Sequence, residues 1–326
     1  MSKIVITGAS GFIGTNLLQY FEDQGHEVIN IDNETPRNLL QIENWRNVDI
    51  RDEAKFVQTV KDFKPELMFH LAARTDIDGK TLADYDSNTE GTKNAVLAAQ
   101  AAGSVRRAIF FSSQLVVRVG YTPKDDLDVN PPNAYGESKA HGEKTVREMA
   151  SNSMEWVIVR PTTIWGPWFG VKYQGLYRNI RRQRYVHPAG RKIKKVWGYV
   201  GNSVFHLDRL AYVDASKVHG KTIYMADYDP TDLLEYAQII GECWGGKKVR
   251  QVPIAVLKAL ALTGDAMKLV GKNFPMTSYR LGNMLGQMDL SIEPLREICG
   301  PQPYTLRESA QATVDWMKAH EDFDRN

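Results

Sequence analysis

Residues 3–18 read "KIVITGASGFIGTNLL". An apolar, β-branched run ends at Thr7, and Gly8, Gly11 and Gly14 follow at three-residue intervals as an amphipathic pattern begins. The run is that of a strand buried on both faces of a parallel sheet. The glycines stand where such a strand turns into a helix. There, backbone N–H groups and the positive helix end converge on an anion. Gly8 permits the turn, Gly11 lets a pyrophosphate approach the backbone, and Gly14 lets the helix pack closely on the strand. The triplet alone also fits a tight structural turn. Asp32, at the end of the next apolar strand and 21 residues past Gly11, favours the phosphate reading. A carboxylate there accepts hydrogen bonds from the adenosine ribose and repels a 2′-phosphate, which points to NAD in preference to NADP.

The rhythm continues outward. "NWRNVDI", "ELMFHLAA", "RRAIFFSS" and "EWVIVRP" read as strands, and "EAKFVQTVKDF", "DYDSNTEGTKNAVLAAQAAG" and "AYGESKAHGEKTVREMA" alternate with them as helices. Strict alternation predicts an α/β fold with a doubly wound parallel sheet of the Rossmann type. Near residue 166 the rhythm breaks into an irregular, aromatic and basic region. The expected division is a NAD-binding domain over 1–166 and a smaller, mainly substrate-binding C-terminal domain over 167–326. Segments around 204–240 are expected to return to the first domain. The last helix opens with a capping box, Thr305 and Glu308, and runs through Trp316.

Composition narrows the function. The net charge of +2 gives no sign of a polyanion-binding protein, so no nucleic-acid partner is expected. The two cysteines, Cys243 and Cys299, form neither a disulfide framework nor a metal spacing. The seven histidines show no HExxH pattern, and no metal is expected. The start of the chain lacks the pattern of a signal peptide. The greasiest stretch, "VPIAVLKALALTG" at 252–264, is too short to span a bilayer and reads as a core or interface helix. These features predict a reduced, cytoplasmic protein with no membrane partner.

A second constellation lies at 135–139, "YGESK". Tyr135 and Lys139, four residues apart on a helix, share one face. An ammonium beside a phenol lowers the phenol pKa from about 10 toward neutrality, so the phenolate can act as a base. Upstream, Ser112 and Ser113 end the fifth strand, at the sheet edge where open α/β folds bind ligands. A hydroxyl from either serine can hydrogen-bond the reacting oxygen alongside the tyrosine.

"TGASGFIG", "IDN", "VDIRD", "HLAA", "SNTEGTKN", "FFSS", "YGESK" and "RPTTIWGP" occur in this order across 4–167. In this the chain resembles an extended short-chain dehydrogenase/reductase of the NAD-dependent epimerase/dehydratase type. The resemblance implies that Gly8, Gly11, Phe12, Ile13 and Gly14 hold the pyrophosphate, that Asp32 and Asn33 meet the ribose, and that Asp49 and Ile50 flank the adenine. It implies that Leu71, Ala72, Ala73 and Pro161 line the nicotinamide path, with Asn88 structural or cofactor-side. Ser113 rather than Ser112 matches the family's catalytic hydroxyl, with Tyr135 as base and Lys139 also on the nicotinamide ribose. It further implies a homodimer paired through the helices at 84–102 and 135–150.

The departures carry information. Gln114-Leu115 replaces the Asp-Glu pair of sugar-nucleotide 4,6-dehydratases, so elimination of water has no proton carrier. Thr163 stands where many sugar-nucleotide members have asparagine, and Asn202 near where they have arginine. Residues 172–195 hold nine Lys or Arg and no acid. That run fits a substrate diphosphate, with Arg181, Arg182 and Arg184 as candidate ligands, or a nucleic acid, or a solvated face. The function expected is NAD-dependent chemistry at a hydroxyl or keto group of a nucleotide sugar, as a 4-epimerase. The alternatives are a dehydrogenase or ketoreductase of the 3β-hydroxysteroid type, and a non-catalytic NAD-sensing regulator.

Overall fold

β1 (Lys3–Thr7) pairs in parallel with β2 (Glu27–Asp32) on one side and with β4 (Leu67–His70) on the other. β3 (Trp45–Asn47) extends the β2 side. β5 (Arg107–Phe111), β6 (Glu155–Pro161) and a seventh strand, Lys221–Met225, extend the β4 side. The seven-stranded parallel sheet therefore reverses its winding between β1 and β4, and a crevice opens at the carboxyl ends there. The computed structural model describes residues 1–150, 154–246, 248–269, 271–272, 274, 276–286 and 290–320, without the side chains of 171–173.

The central strands β1, β2, β4, β5 and β6 are buried on both faces, as their apolar runs require. On one face Val5, Ile29, Met68, Ala108 and Ile158 pack against α2 (Glu53–Phe63), α3 (Asp86–Ala102) and α4 (Ala134–Met149). On the other, Phe21 of α1 (Phe12–Asp23) meets Phe69 of β4 with ring centroids 5.2 Å apart. α1 packs in turn on α6 (Val200–Tyr212). Two elements depart from the sequence reading. The strand expected over 44–50 is only Trp45–Asn47, because Asp49 bends the chain through bonds to Arg51. The helix expected from residue 84 begins at Asp86, after a 3-10 turn over Leu82–Tyr85 with its own capping box of Thr81 and Asp84.

The chain divides into two compact units. One comprises Met1–Phe169, Gly198–Tyr228 and Leu290–Tyr304; the other comprises Gly170–Trp197, Asp229–Asp289 and Thr305–Asn326. Within the second, α5 (Val171–Arg181) and the helix Leu306–Ala319 both pack on the helix Leu233–Cys243. The capping box of Thr305 and Glu308 opens the last of these. The strand Val186–Pro188 pairs in parallel with Arg250–Val252, which leads into the helix Ile254–Leu269. That helix and Ser278–Leu285 share a small core of Leu257, Ala261 and Leu281.

Candidate active site

The three glycines of the opening loop have different geometry. Gly8 has φ +77°, and a Cβ there would lie 2.6 Å from the Ala72 nitrogen and 2.7 Å from its Cα. A Cβ on Gly14 would lie 2.5 Å from both the Ala9 Cα and the Gly8 carbonyl. These two are glycine because the protein packs on itself. At Gly11 only the Gly8 carbonyl, at 3.1 Å, would meet a Cβ. Gly11 is the N-cap of α1 and gives its helix no side-chain hydrogen bond. The first helical N–H groups, of Phe12, Ile13 and Gly14, precede the first helix bond, Thr15 N–H to Gly11 carbonyl. An uncapped helix start beside an open glycine fits a dinucleotide pyrophosphate.

Asp32 ends β2 beside this loop. Its carboxylate accepts from the Ser10 N–H at 3.1 Å and from the Glu34 N–H at 3.0 Å. Burial holds its pKa above the usual value, against those two bonds. Each oxygen keeps a lone pair for a ribose hydroxyl. Arg37 donates to the Trp168 carbonyl at 2.9 Å. Asn33 reaches toward Asp49 at 3.5 Å, and Arg51, at 2.6 Å, holds the Asp49 carboxyl below its usual range. Ile50 is buried in the core, its side chain in contact range of Gly91, and its carbonyl accepts from Asn94 at 2.9 Å.

Leu71, Ala72 and Ala73 follow β4. The Leu71 N–H donates to the Thr7 carbonyl at 3.0 Å and the Ala72 N–H to the Thr7 hydroxyl at 3.2 Å. Asn88 clamps the next residue: its Oδ1 accepts from the Arg74 N–H, and its Nδ2 donates to the Arg74 carbonyl and to the Ser138 hydroxyl. It thereby ties the β4 loop to α4, a structural task. His70 lies beneath, with Nδ1 2.9 Å from the Thr7 hydroxyl. Burial first, and the Lys139 charge second, push its pKa down to about 3, so the imidazole is neutral.

The two serines part company. The Ser112 hydroxyl donates to Glu143 Oε1 at 2.5 Å, within a buried cluster. Glu143 also accepts from Arg160 Nε and Nη2, both at 2.8 Å, and from Arg147 at 3.3 Å. Arg160 Nη2 donates in turn to the Asp126 carbonyl at 2.7 Å, fixing the loop ahead of α4. Ser113 instead caps the turn Gln114–Val116, accepting from the Leu115 N–H at 3.1 Å, which leaves its own hydrogen to donate. The Leu115 carbonyl lies against Gly136, where a Cβ would collide with it. The strand end that carries Ser113 is thus pressed onto the first turn of α4.

Tyr135 and Lys139 are both buried on the inward side of α4, one turn apart. Burial brings the Lys139 pKa down to about 8, while the Glu143 charge acts upward. Glu143 and Arg160 escaped the sequence reading. Their signals were a carboxylate four residues beyond Lys139, hence on its face, and a lone arginine inside the apolar strand "EWVIVRP".

The other expected residues are more scattered. Pro161 ends β6 opposite Met225, and Thr163 lies just beyond it in the strand Thr163–Trp165. Asn202 is fully engaged, donating to Asp227 at 2.9 Å and to the Tyr304 carbonyl at 3.1 Å and accepting from the Tyr304 N–H at 3.0 Å. In the second unit Arg181, Arg182 and Arg184 are exposed at the end of α5, and the Arg181 guanidinium lies 4.6 Å from the Trp244 ring centroid. Lys195 points to the carbonyls of Asn283, at 2.8 Å, and Gly286. The side chain of Lys172 lies outside the described residues.

The pattern of the NAD dependent epimerase/dehydratase family matches residues 4–225. An N-acetyl-alpha-D-glucosaminyl-diphospho-ditrans,octacis-undecaprenol 4-epimerase of Escherichia coli O157:H7 is 25% identical, over 98% of this chain and 96% of that protein. A UDP-glucose 4-epimerase of Vibrio cholerae is 31% identical, over 96% of this chain and 94% of its own. Among solved structures, an epimerase of Methanothermobacter thermautotrophicus superposes with a TM-score of 0.75 at 20% identity. That likeness covers 99% of this chain and 94% of the other.

Proposed function

The chain belongs to the NAD-dependent epimerase/dehydratase family, and on that premise we propose that it is a 4-epimerase acting on a diphosphate-linked sugar, a nucleotide sugar in the first instance. The observation that carries this is the division of labour between the serines. Ser112 is consumed by Glu143, whereas Ser113 keeps a hydrogen to donate, at a strand end pressed onto the turn of α4 that carries Tyr135. Gln114-Leu115 offers no acid–base pair for dehydration.

In this reading Ser113 orients the reacting sugar oxygen, and Tyr135 takes and later returns its proton. The Lys139 ammonium stabilises the phenolate through the interval. Gly11, Phe12 and Ile13 would hold the pyrophosphate of NAD, and Asp32 its adenosine ribose. Bound NAD supplies the hydride acceptor and donor at the carbinol carbon. A dehydrogenase would use the same side chains but release the ketone. Both relatives' names place a diphosphate next to the sugar, and the acid-free segment of the second unit, with Arg181, Arg182 and Arg184, supplies cations of the right chemistry for it. We assign the cofactor to the first unit and the reaction to the cytoplasm.

The test is incubation of the purified chain with NAD and UDP-hexoses, with nuclear magnetic resonance of the product. Inversion at C4 without accumulation of NADH is expected. Tyr135→Phe should lower turnover by more than about a hundredfold while NAD binding persists. Replacing Arg181, Arg182 and Arg184 together by alanine should raise KM for nucleotide sugars and spare that for neutral alcohols. Wild-type turnover by Tyr135→Phe would sink the assignment of the base, and net NADH formation would turn the reading to a dehydrogenase.

A further inference from the structure

The helix Ile254–Leu269 carries its apolar residues on the wrong side for a helix facing water. Its buried side, Leu257 and Ala261, packs on Leu281. At 100° per residue the opposite arc holds Ala255, Val256, Ala259, Leu262, Thr263 and Ala266, all exposed, with Leu260 and Leu269 at its two margins. Val256 is 45% exposed, Leu260 39%, Leu262 66% and Leu269 89%. Tyr279, on the adjoining helix, is 69% exposed. A solvent-facing helix normally shows the reverse distribution, and a helix apolar all round is normally covered.

The charge around this face says what covers it. Residues 244–288 contain seven Lys or Arg against one acid, Asp265. Lys248, Arg250, Lys258, Lys268, Lys272 and Arg280 are exposed. The acid-free segment is joined directly to this region. Its strand Val186–Pro188 is hydrogen-bonded along Arg250–Val252, and the Ala189 N–H donates to the Val252 carbonyl at 2.8 Å. A second copy of the chain would bring the same cations against these and be repelled. An anionic layer with an apolar interior complements both features at once. The helix has 16 residues, and among the described residues no helix is long and apolar enough to cross a membrane, so it can lie in the interface but not span it.

We propose that this face docks the protein on an anionic bilayer surface, with Val256, Leu260, Leu262 and Leu269 entering the headgroup layer and the surrounding lysines and arginines meeting lipid phosphates. Surface docking is distinct from spanning, and it does not depend on the reaction proposed above. The test needs no turnover. The full chain, with NAD, is sedimented with vesicles of phosphatidylcholine alone or with phosphatidylglycerol at about one lipid in three. Binding to the anionic vesicles should be at least about tenfold tighter and should weaken between about 0.1 M and about 0.5 M salt. The double variant Leu262→Glu, Leu269→Glu should lose that binding by about tenfold or more, with thermal stability and NAD binding unchanged, because both side chains point away from the core. Lys258→Glu should weaken it less. Failure to bind anionic vesicles, equal binding to both vesicle types, or a double variant that binds like the parent would each overturn the proposal. So would a two-chain mass in the absence of lipid that the double variant reduces to one chain, since the face would then belong to a second copy.

Discussion

Glu143 shows how much one side chain organises. Its two oxygens fix Ser112, Arg160 and Arg147, and its charge supports Lys139 one turn earlier. In the proposed mechanism Lys139 is charged to lower the phenol pKa, and burial leaves it a pKa of about 8. In the free protein kcat/KM should therefore decline above about pH 8 as the ammonium is lost. Glu143→Gln removes the charge that acts upward on Lys139, so that alkaline limb should move to lower pH, and Glu143→Asp should move it back. Stability runs the other way with pH. The folded pKa lies below the unfolded one, so the Lys139 contribution rises as pH climbs from about 8 toward the ordinary lysine value. Glu143→Gln also leaves the Arg160 guanidinium buried without its counter-charge, at a cost of about 3–5 kcal/mol in thermal or denaturant unfolding. An alkaline limb that stays in place would show that Glu143 serves the fold alone and not Lys139.

The element that decides the cofactor is the strand–turn–helix of β1 and α1, where two glycines can be told apart by experiment. Gly8→Ala places a side chain at φ +77° against the Ala72 backbone and should lower unfolding stability by about 1–3 kcal/mol. Gly11→Ala keeps an ordinary φ of −80° and meets only the Gly8 carbonyl. It should fold like the parent and lose NAD affinity, since its Cβ occupies the space a phosphate would take. Melting curves beside NAD titrations check both, and equal loss of stability in the two variants would contradict the division. The glycines were legible in the sequence because the residue type itself reports a backbone requirement. The strands were legible because burial on both faces leaves an unbroken apolar run. The different surroundings of Ser112 and Ser113 were not legible from the residues themselves, since both are hydroxyls on one strand end. Their separation depends on Glu143, 31 residues later in the chain. The packing of Ile50 was hidden for a similar reason: its side chain is drawn into the core against Gly91, far along the chain.

At the scale of the whole molecule, a net charge of +2 conceals a strong segregation of charge. The two stretches at 172–195 and 244–288 contain sixteen Lys or Arg and one acid, and the remainder of the chain is correspondingly acidic. Global balance was thus a poor guide to local surfaces. The same consideration bears on the homodimer implied by the family resemblance. The outer side of α4 presents Glu137, His141, Lys144 and Glu148, and that of α3 presents Glu90 and Lys93 with Leu97 and Ala101. Lys144 lies 3.8 Å from Glu148 and Lys93 3.3 Å from Glu90, so the charges are already paired within each helix. Two copies meeting there across a twofold axis would align mixed rows of charge around a narrow apolar strip at Leu97 and Ala101. Such an interface offers little apolar area and depends on how its charges re-pair between copies, which salt screens, unlike the apolar interfaces of obligate dimers. Sedimentation at micromolar protein should therefore give a two-chain mass at about 0.05 M salt that falls toward one chain at about 0.5 M. Lys144→Glu combined with Lys93→Glu should shift the equilibrium to single chains even at low salt, because each of these rows then carries acids and no lysine. A one-chain mass under both conditions would remove the α3–α4 pairing, and a two-chain mass indifferent to salt and to both substitutions would place the dimer contact elsewhere on the surface.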